Sequence, residues 1–277
     1  MPVVAGLRVE GLSVGGIETS IDLPEHKLAF DVGRSPDGVL PRDTILFTHG
    51  HMDHMGGIAY HAAMRALKHM RPPTYVVPRE CAQGVQALFE AWARLDHARH
   101  AHTLVPLAPG EEWELRPGWI VRPFRSPHTA PCQGYGLWSK RSKLLPELAG
   151  LSSEEIGRRK LAGERVTETT LAPEIAFTGD TRIEVVEREA VVREARILIM
   201  EVTFLDQRVS AADARQKGHV HLDEVIERAE LFQNEALVFT HFSSRYTAPE
   251  VRALLAAKLP PGLRERVTPL LEGHRER

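Results

Sequence analysis

Between Phe47 and Gly57 the chain reads FTHGHMDHMGG, which places His49, His51, Asp53 and His54 within six residues, directly behind the apolar run TILF. Imidazole and carboxylate together suit zinc, which takes three or four protein donors and keeps an open position when it does chemistry. Side chains at i and i+2 of an extended segment project to the same side, so His49 and His51 can grip one ion while Asp53 and His54 turn toward a second. Four donors do not complete two such sites. The rest must come from elsewhere in the chain.

Three further residues stand where they could help. His128 follows the apolar run WIVRPF, Asp180 follows EIAF, and His241 follows ALVFT. Taken singly, a histidine of this kind is ordinarily a satisfied core residue and an aspartate a helix cap. Taken together, three donors each delivered to the end of a strand converge on one sheet edge, the usual place for a site in a layered α/β fold.

The elements that must position them follow from pattern. LRVEGLSVGG, ETSIDLP and LAFDVG are short alternating or apolar runs broken by glycine and proline, which predicts early antiparallel strands. TILFTH and PTYVVP read as further strands, and GGIAYHAAMRALKHM between them as a helix ended by RPP. AQGVQALFEAWARL is an amphipathic helix, and EEWELRPGWIVRPFRS a hairpin about RPG. Ser152 stands three residues before Glu155, a capping box that opens a helix ending at Gly163. The last third alternates EIAFTGD, ILIMEVTF, LDEVIERAELF, ALVFTHF and APEVRALLAAKL as strand, strand, helix, strand and helix. Strands early and late with helices between them predict two packed sheets flanked by helices. No linker or composition break divides residues 1–277, so a single domain is expected.

The pattern HxHxDH followed by single His, Asp and His resembles the metallo-β-lactamase superfamily. Outside those positions, GGIETSI, AFDVGRSP, GHMDHMGGIAYHAAMR, ELAGLSSEEI, LIMEVTF, KGHVHLDEV and THFSSRY resemble the tRNA 3′-processing endonucleases, ribonuclease Z, in their short plant-type branch. The resemblance implies an α/β fold of four layers, an αββα sandwich, with two Zn2+ per chain, Mn2+ or Fe2+ being alternatives. It assigns His49, His51 and His128 to one ion, Asp53, His54 and His241 to the other, and Asp180 as the bridge. It further implies hydrolysis of a phosphodiester, with Asp53 taking a proton from the attacking water.

A ribose 3′-oxygen leaves poorly without a proton. His219 matches the family's proton donor, and Glu201 sits where a carboxylate would orient its imidazole. His221 is the rival, read as topping the helix LDEVIERAELF. Asp31 is either support for the metal loop or a turn residue before Gly33, and Arg245 either a phosphate contact or surface. His26, His61, His69, His97, His100, His102 and His274 lack partners at ligand spacing, DHARHAH reads as a solvated loop, and the four tryptophans read as core or hairpin residues. The tail EGHRER reads as solvated.

The family implies a precursor tRNA as substrate and a homodimer as the assembly. Residues 139–172 correspond to its tRNA-gripping arm, here short and without a Gly-Pro pair, yet holding Lys140, Arg141, Lys143, Arg158, Arg159, Lys160 and Arg165. A net charge of −2 excludes a globally basic nucleic-acid coat, so any RNA contact must use such a patch. Two competing readings remain: a hydrolase of the same fold acting on a thioester, lactone or other small ester, and a nucleic-acid-binding member without turnover. The first would have no use for a Glu201–His219 pair. No run is apolar and long enough to span a bilayer, the start MPVVAGLRVEGLSVGG lacks a signal-type pattern, and Cys81 and Cys132 read as free thiols, which predicts a cytoplasmic protein.

Overall fold

The computed structural model describes residues 3–277, so the first two residues of the start segment lie outside it. Two seven-stranded sheets face each other. The first runs, in spatial order, Phe242–Ser243, Glu10–Gly15, Glu18–Leu23, Leu28–Phe30, Thr44–Leu46, Thr74–Pro78 and Thr103–Leu107. The second runs Val267–Pro269, Ala236–Thr240, Ile197–Glu201, Thr167–Phe177, Gln133–Leu144, Trp119–Arg125 and Trp113–Arg116. The expected early antiparallel strands pair as Glu10–Gly15 with Glu18–Leu23 and the latter with Leu28–Phe30. From Leu28–Phe30 onward the first sheet is parallel, and so is the second from Thr167–Phe177 to Val267–Pro269.

Period-two alternation builds the layers. Ile197 and Ile199 point between the sheets with Phe30, Leu46, Val121 and Leu137. Leu198 and Met200 point outward, onto Val225, Val251 and Leu255 of the helices behind the second sheet. On the other side Ile45, Phe47, Tyr75 and Val77 meet Ile58, Ala62, Val85 and Phe89 of the helices Ile58–Leu67 and Ala82–Asp96. Strands covered on both faces read as near-continuous apolar runs. The result is the αββα sandwich expected.

Parallel strands bring their C-terminal ends to one edge, and the chemistry collects there. His241 occupies the step where the chain leaves Ala236–Thr240 in the second sheet for Phe242–Ser243 in the first, with a left-handed φ of +59°. Asp31, directly after Leu28–Phe30, has φ +55°. Such conformations are costly for residues with a Cβ and tend to collect at functional sites.

Several details depart from the sequence-based expectation. The helix Ile58–Leu67 buries Arg65 and leaves Leu67 70% exposed, because the Arg65 guanidinium donates to the carbonyls of Leu40, Arg42 and Arg71 and to Asp43. Trp92 is neither core nor hairpin; it lies 44% exposed on Ala82–Asp96. The tail is not wholly solvated, since His274 is buried and bonded to the Tyr246 carbonyl, and Val267–Pro269 adds an edge strand that the pattern did not reveal.

Residues 139–172 form a two-stranded extension, paired from Ser139↔Ala172 out to Leu144↔Thr167. The helix Ser153–Leu161 lies in the connection, with Ser152 accepting from the Glu155 N–H and Gly163 turning the chain beyond its end at φ +80°. Part of the extension's positive charge is compensated: Lys140 meets Glu114, Arg141 meets Glu174, and Arg158 and Arg159 meet Glu155. Among the described residues, no helix is long and apolar enough to cross a membrane.

Candidate metal centre

Asp180 stands at the middle of the cluster, buried after the strand Thr167–Phe177. Its Oδ1 lies 3.3 Å from Nε2 of both His54 and His241. Its Oδ2 lies 3.8 Å from His49 Nε2 and 4.0 Å from His128 Nε2. Asp53 Oδ2 is 3.8 Å from Nε2 of both His54 and His241. Donor atoms of His49, His51, His128 and Asp180 thus lie within 4.8 Å of one another, as do those of Asp53, His54 and His241. Each oxygen of Asp180 faces one group.

The side chains present fit divalent cations. Nε2 of His49, His54 and His241 are buried and have no hydrogen-bond partner, a costly state for polar atoms unless something binds them. All three point at Asp180. Its ion-pair partners are all imidazoles, so the buried negative charge is balanced by groups that a cation would replace. The electrostatics agree. Burial raises the Asp180 carboxyl, yet the charges on His241 and His54 outweigh it and hold it well below the usual range. Burial likewise opposes ionisation of Asp53, and the facing imidazoles of His241 and His54 outweigh it there too. For His49 burial dominates and keeps the ring neutral, the state that ligates.

Local structure aims each group. His51 stands in extended conformation at the start of the short helix Met52–Met55, which turns Asp53 and His54 inward. Gly16, at φ +73° in the turn between the first two long strands, directs its N–H at Asp53 Oδ2 (3.1 Å). His128 Nδ1–H donates to the Gly218 carbonyl at 2.8 Å. Gly218 has φ +83°, and a Cβ there would stand 2.7 Å from His128 Nδ1.

Asp31 is fully buried, and the turn reading gives way to support: its carboxylate accepts from His54 Nδ1, the Thr48 N–H and the Thr48 hydroxyl, each at 2.8 Å. Glu201, at the end of Ile197–Glu201, accepts from His219 Nδ1–H at 2.9 Å and from the Thr181 N–H. A ring nitrogen of His219 lies within 4.8 Å of donor atoms of Asp180 and His241. Burial pulls the His219 pKa down, but the Glu201 charge and hydrogen bond raise it to about 9. His221 is spent on structure: Nδ1 accepts from the Asp223 N–H in a capping box, and Nε2 donates to the Asp206 carbonyl.

The remaining histidines stay apart. His100 pairs with Asp96, His102 stacks on Phe89, and neither joins a group of metal-ligand type among the described residues. Arg245 is exposed, four residues past His241 in the chain. Cys81 and Cys132 are unpaired. A cleft of about 360 Å³ opens beside His128, walled by Pro78, Pro109 and Pro131 and bordered by Arg79 and Arg125. The reading from sequence passed over Thr48 and Thr203, although each sits inside a quoted motif, in FTHGH and MEVTF.

Residues 17–242 match the Beta-lactamase superfamily domain, the class that this sandwich and its edge cluster define. The tRNase Z TRZ1 of Arabidopsis thaliana is 42% identical over 272 residues, covering 98% of this chain and 97% of that protein. The chloroplastic tRNase Z TRZ2 of the same plant is 40% identical, over 97% of this chain and 76% of its own length. Among solved structures, human tRNase Z, short form, superposes with a TM-score of 0.60 at 19% identity, over 86% of this chain and 93% of that one. The chain belongs to the beta-lactamase superfamily and, within it, to the tRNase Z family.

Proposed function

We propose that this protein is a metal-dependent endoribonuclease that removes the 3′ trailer from precursor tRNA. The observation that carries the reading is the Glu201–His219 pair standing at the rim of a seven-donor cluster. A thioester expels a thiolate that leaves without a proton, whereas an RNA-cleaving enzyme expels a ribose 3′-oxygen that needs one.

In this reading His49, His51 and His128 hold one cation, Asp53, His54 and His241 the other, and Asp180 is shared. Zinc is the metal that suits these donors, with Mn2+ or Fe2+ as substitutes. Two such cations supply Lewis acidity that lowers the pKa of water toward neutrality and steadies the charge of a phosphodiester in displacement. Asp53, oriented by the Gly16 N–H, receives the proton of the attacking water. His219, its Nδ1–H tied to Glu201, hands the proton on its Nε2 to the departing ribose 3′-oxygen.

Residues 1–277 act as one catalytic unit, with 139–172 as a reduced arm that grips the tRNA through Lys143, Lys160 and Arg165. The unit works as a homodimer. Supporting this, Leu88, Trp92 and Leu95 form an exposed stripe at helical spacing on Ala82–Asp96, and Tyr60 and Leu67 another on Ile58–Leu67, over the same outer face. Exposed apolar area of this kind calls for a partner surface, and a self-complementary patch closes a two-fold pair. Trp92→Glu is expected to give a monomer by sedimentation. The compartment proposed is the cytoplasm, where unpaired cysteines are stable.

The decisive experiment incubates a precursor tRNA bearing a 3′ trailer with the protein, with and without chelator, and maps the cut against the discriminator base. The expected result is a chelator-sensitive cut just 3′ of that base. An intact precursor beside rapid thioester hydrolysis would overturn the proposal.

A further inference from the structure

The two halves of the molecule repeat one arrangement that the donor set alone does not call for. In the first, the Asp31 carboxylate takes His54 Nδ1–H directly and the Thr48 hydroxyl at 2.8 Å, while Thr48 Oγ1 stands 3.0 Å from His49 Nδ1. In the second, the Glu201 carboxylate takes His219 Nδ1–H directly and the Thr203 hydroxyl at 2.6 Å, while Thr203 Oγ1 stands 2.9 Å from His241 Nδ1. Each hub thus serves two imidazoles, one by contact and one through a threonine. Both carboxylates and both threonines are buried.

Proton counting settles the direction of these bonds. A threonine hydroxyl has one proton, and an ionised carboxylate only accepts, so the hydroxyl proton goes to the hub. The threonine oxygen must then accept, and the donor facing it is imidazole Nδ1–H. That places the lone pair of His49 and His241 on Nε2, the atom that in both rings is buried without a partner and aimed at Asp180. His54 is held in the same tautomer by Asp31 directly.

We propose that Thr48 and Thr203 are positioning residues, each relaying a buried carboxylate to a cation-facing histidine and fixing its tautomer. Because the second hub also holds the proton donor, Thr203 ties the placement of His219 to that of His241. Thr48 carries no such link, since both imidazoles on its hub face the cations. The inference rests on the metal-centre reading above. It adds that losing one hydroxyl harms metal binding alone in the first half and both metal binding and proton donation in the second.

The test compares Thr48→Val and Thr203→Val, close in shape but without the hydroxyl, with Thr48→Ser and Thr203→Ser. Zinc affinity is measured by competition with a chromophoric chelator. Both valine variants are expected to bind zinc about tenfold or more weakly, as loss of a ligand's supporting hydrogen bond does, and both serine variants to return toward wild type. At saturating zinc, Thr203→Val is expected to lose several-fold more activity on precursor RNA than on bis(p-nitrophenyl) phosphate, and Thr48→Val to lose equally on both. Nitrogen NMR of the metal-free wild-type protein, which needs no variant to fold, is expected to show His49 and His241 protonated on Nδ1. Protonation on Nε2 alone, or valine variants that bind zinc like wild type, would overturn the relay. An equal substrate ratio in the two valine variants would overturn the shared hub. Failure of wild-type protein to bind two zinc ions would instead strike the metal-centre reading itself.

Discussion

Asp31 and Glu201 occupy corresponding places in opposite sheets, each where a parallel strand ends, each buried and each serving one imidazole directly and a second through a threonine. They differ in the exposure of one ring. His54 on Asp31 is sealed from solvent, whereas the His219 side chain on Glu201 is 17% exposed. In the proposed reading the same carboxylate–imidazole pair supports a ligand in one half and a proton donor in the other. Access decides which, because a donor must reach a leaving group that arrives from outside, and a ligand must be kept from water that would compete for it.

Variants can break or sharpen that contrast. The largest effect is expected where the halves meet: Asp180→Ala removes the oxygens facing both groups and should cost on the order of 10⁴ in turnover on every substrate, with loss of bound metal by elemental analysis. A variant that keeps two ions would show that Asp180 does not join the groups. Next in size, His219→Ala should lower RNA cleavage by about 10²–10⁴ while keeping its metal and most cleavage of a nitrophenyl diester, whose leaving group needs no proton. His54→Ala should lose both activities together. Equal losses in the His219 variant would erase the distinction between the hubs.

Glu201→Gln is expected to weaken activity by about 10–100-fold and to move its pH dependence. The Glu201 charge and hydrogen bond hold His219 at about 9 against burial, which pulls it below 6.5. With that influence gone, His219 surrenders its proton at lower pH, and the alkaline limb of RNA cleavage shifts down by about one pH unit or more. A limb that stays put would assign it to another group. The smallest effect is expected from Gly218→Ala. Its Cβ would press on His128 Nδ1 and its φ of +83° would be strained, at a cost of about 1–2 kcal/mol in stability. Thermal melting and zinc competition should both report it.

The donors were legible because their signals are local. HxHxDH lies in one loop, and His128, Asp180 and His241 each trail an apolar run that is visibly a strand. The cap at Ser152, the hairpin about Arg116-Pro117-Gly118 and the capping role of His221 were legible for the same reason, since each is made by residues a few positions apart. Arg65 and Leu67 show the opposite case. Helical spacing cannot foresee that carbonyls of Leu40, Arg42 and Arg71 will draw the arginine inside and leave the leucine outside. The basic residues of 139–172 look like a free patch until Glu114, Glu155 and Glu174 are seen beside four of them.

By itself, then, the order of residues determined which side chains could bind metal and move a proton, and that strands would carry them to one edge, because side-chain chemistry and strand periodicity are properties of short segments. Only the tertiary structure decided which oxygen of Asp180 faces which histidines, that Asp31 and Glu201 are paired hubs, and that Thr48 and Thr203 stand between those carboxylates and His49 and His241. Those facts depend on hydrogen-bond distances between residues as far apart as Asp31 and His54 or Thr203 and His241, and such distances exist only once two sheets have packed.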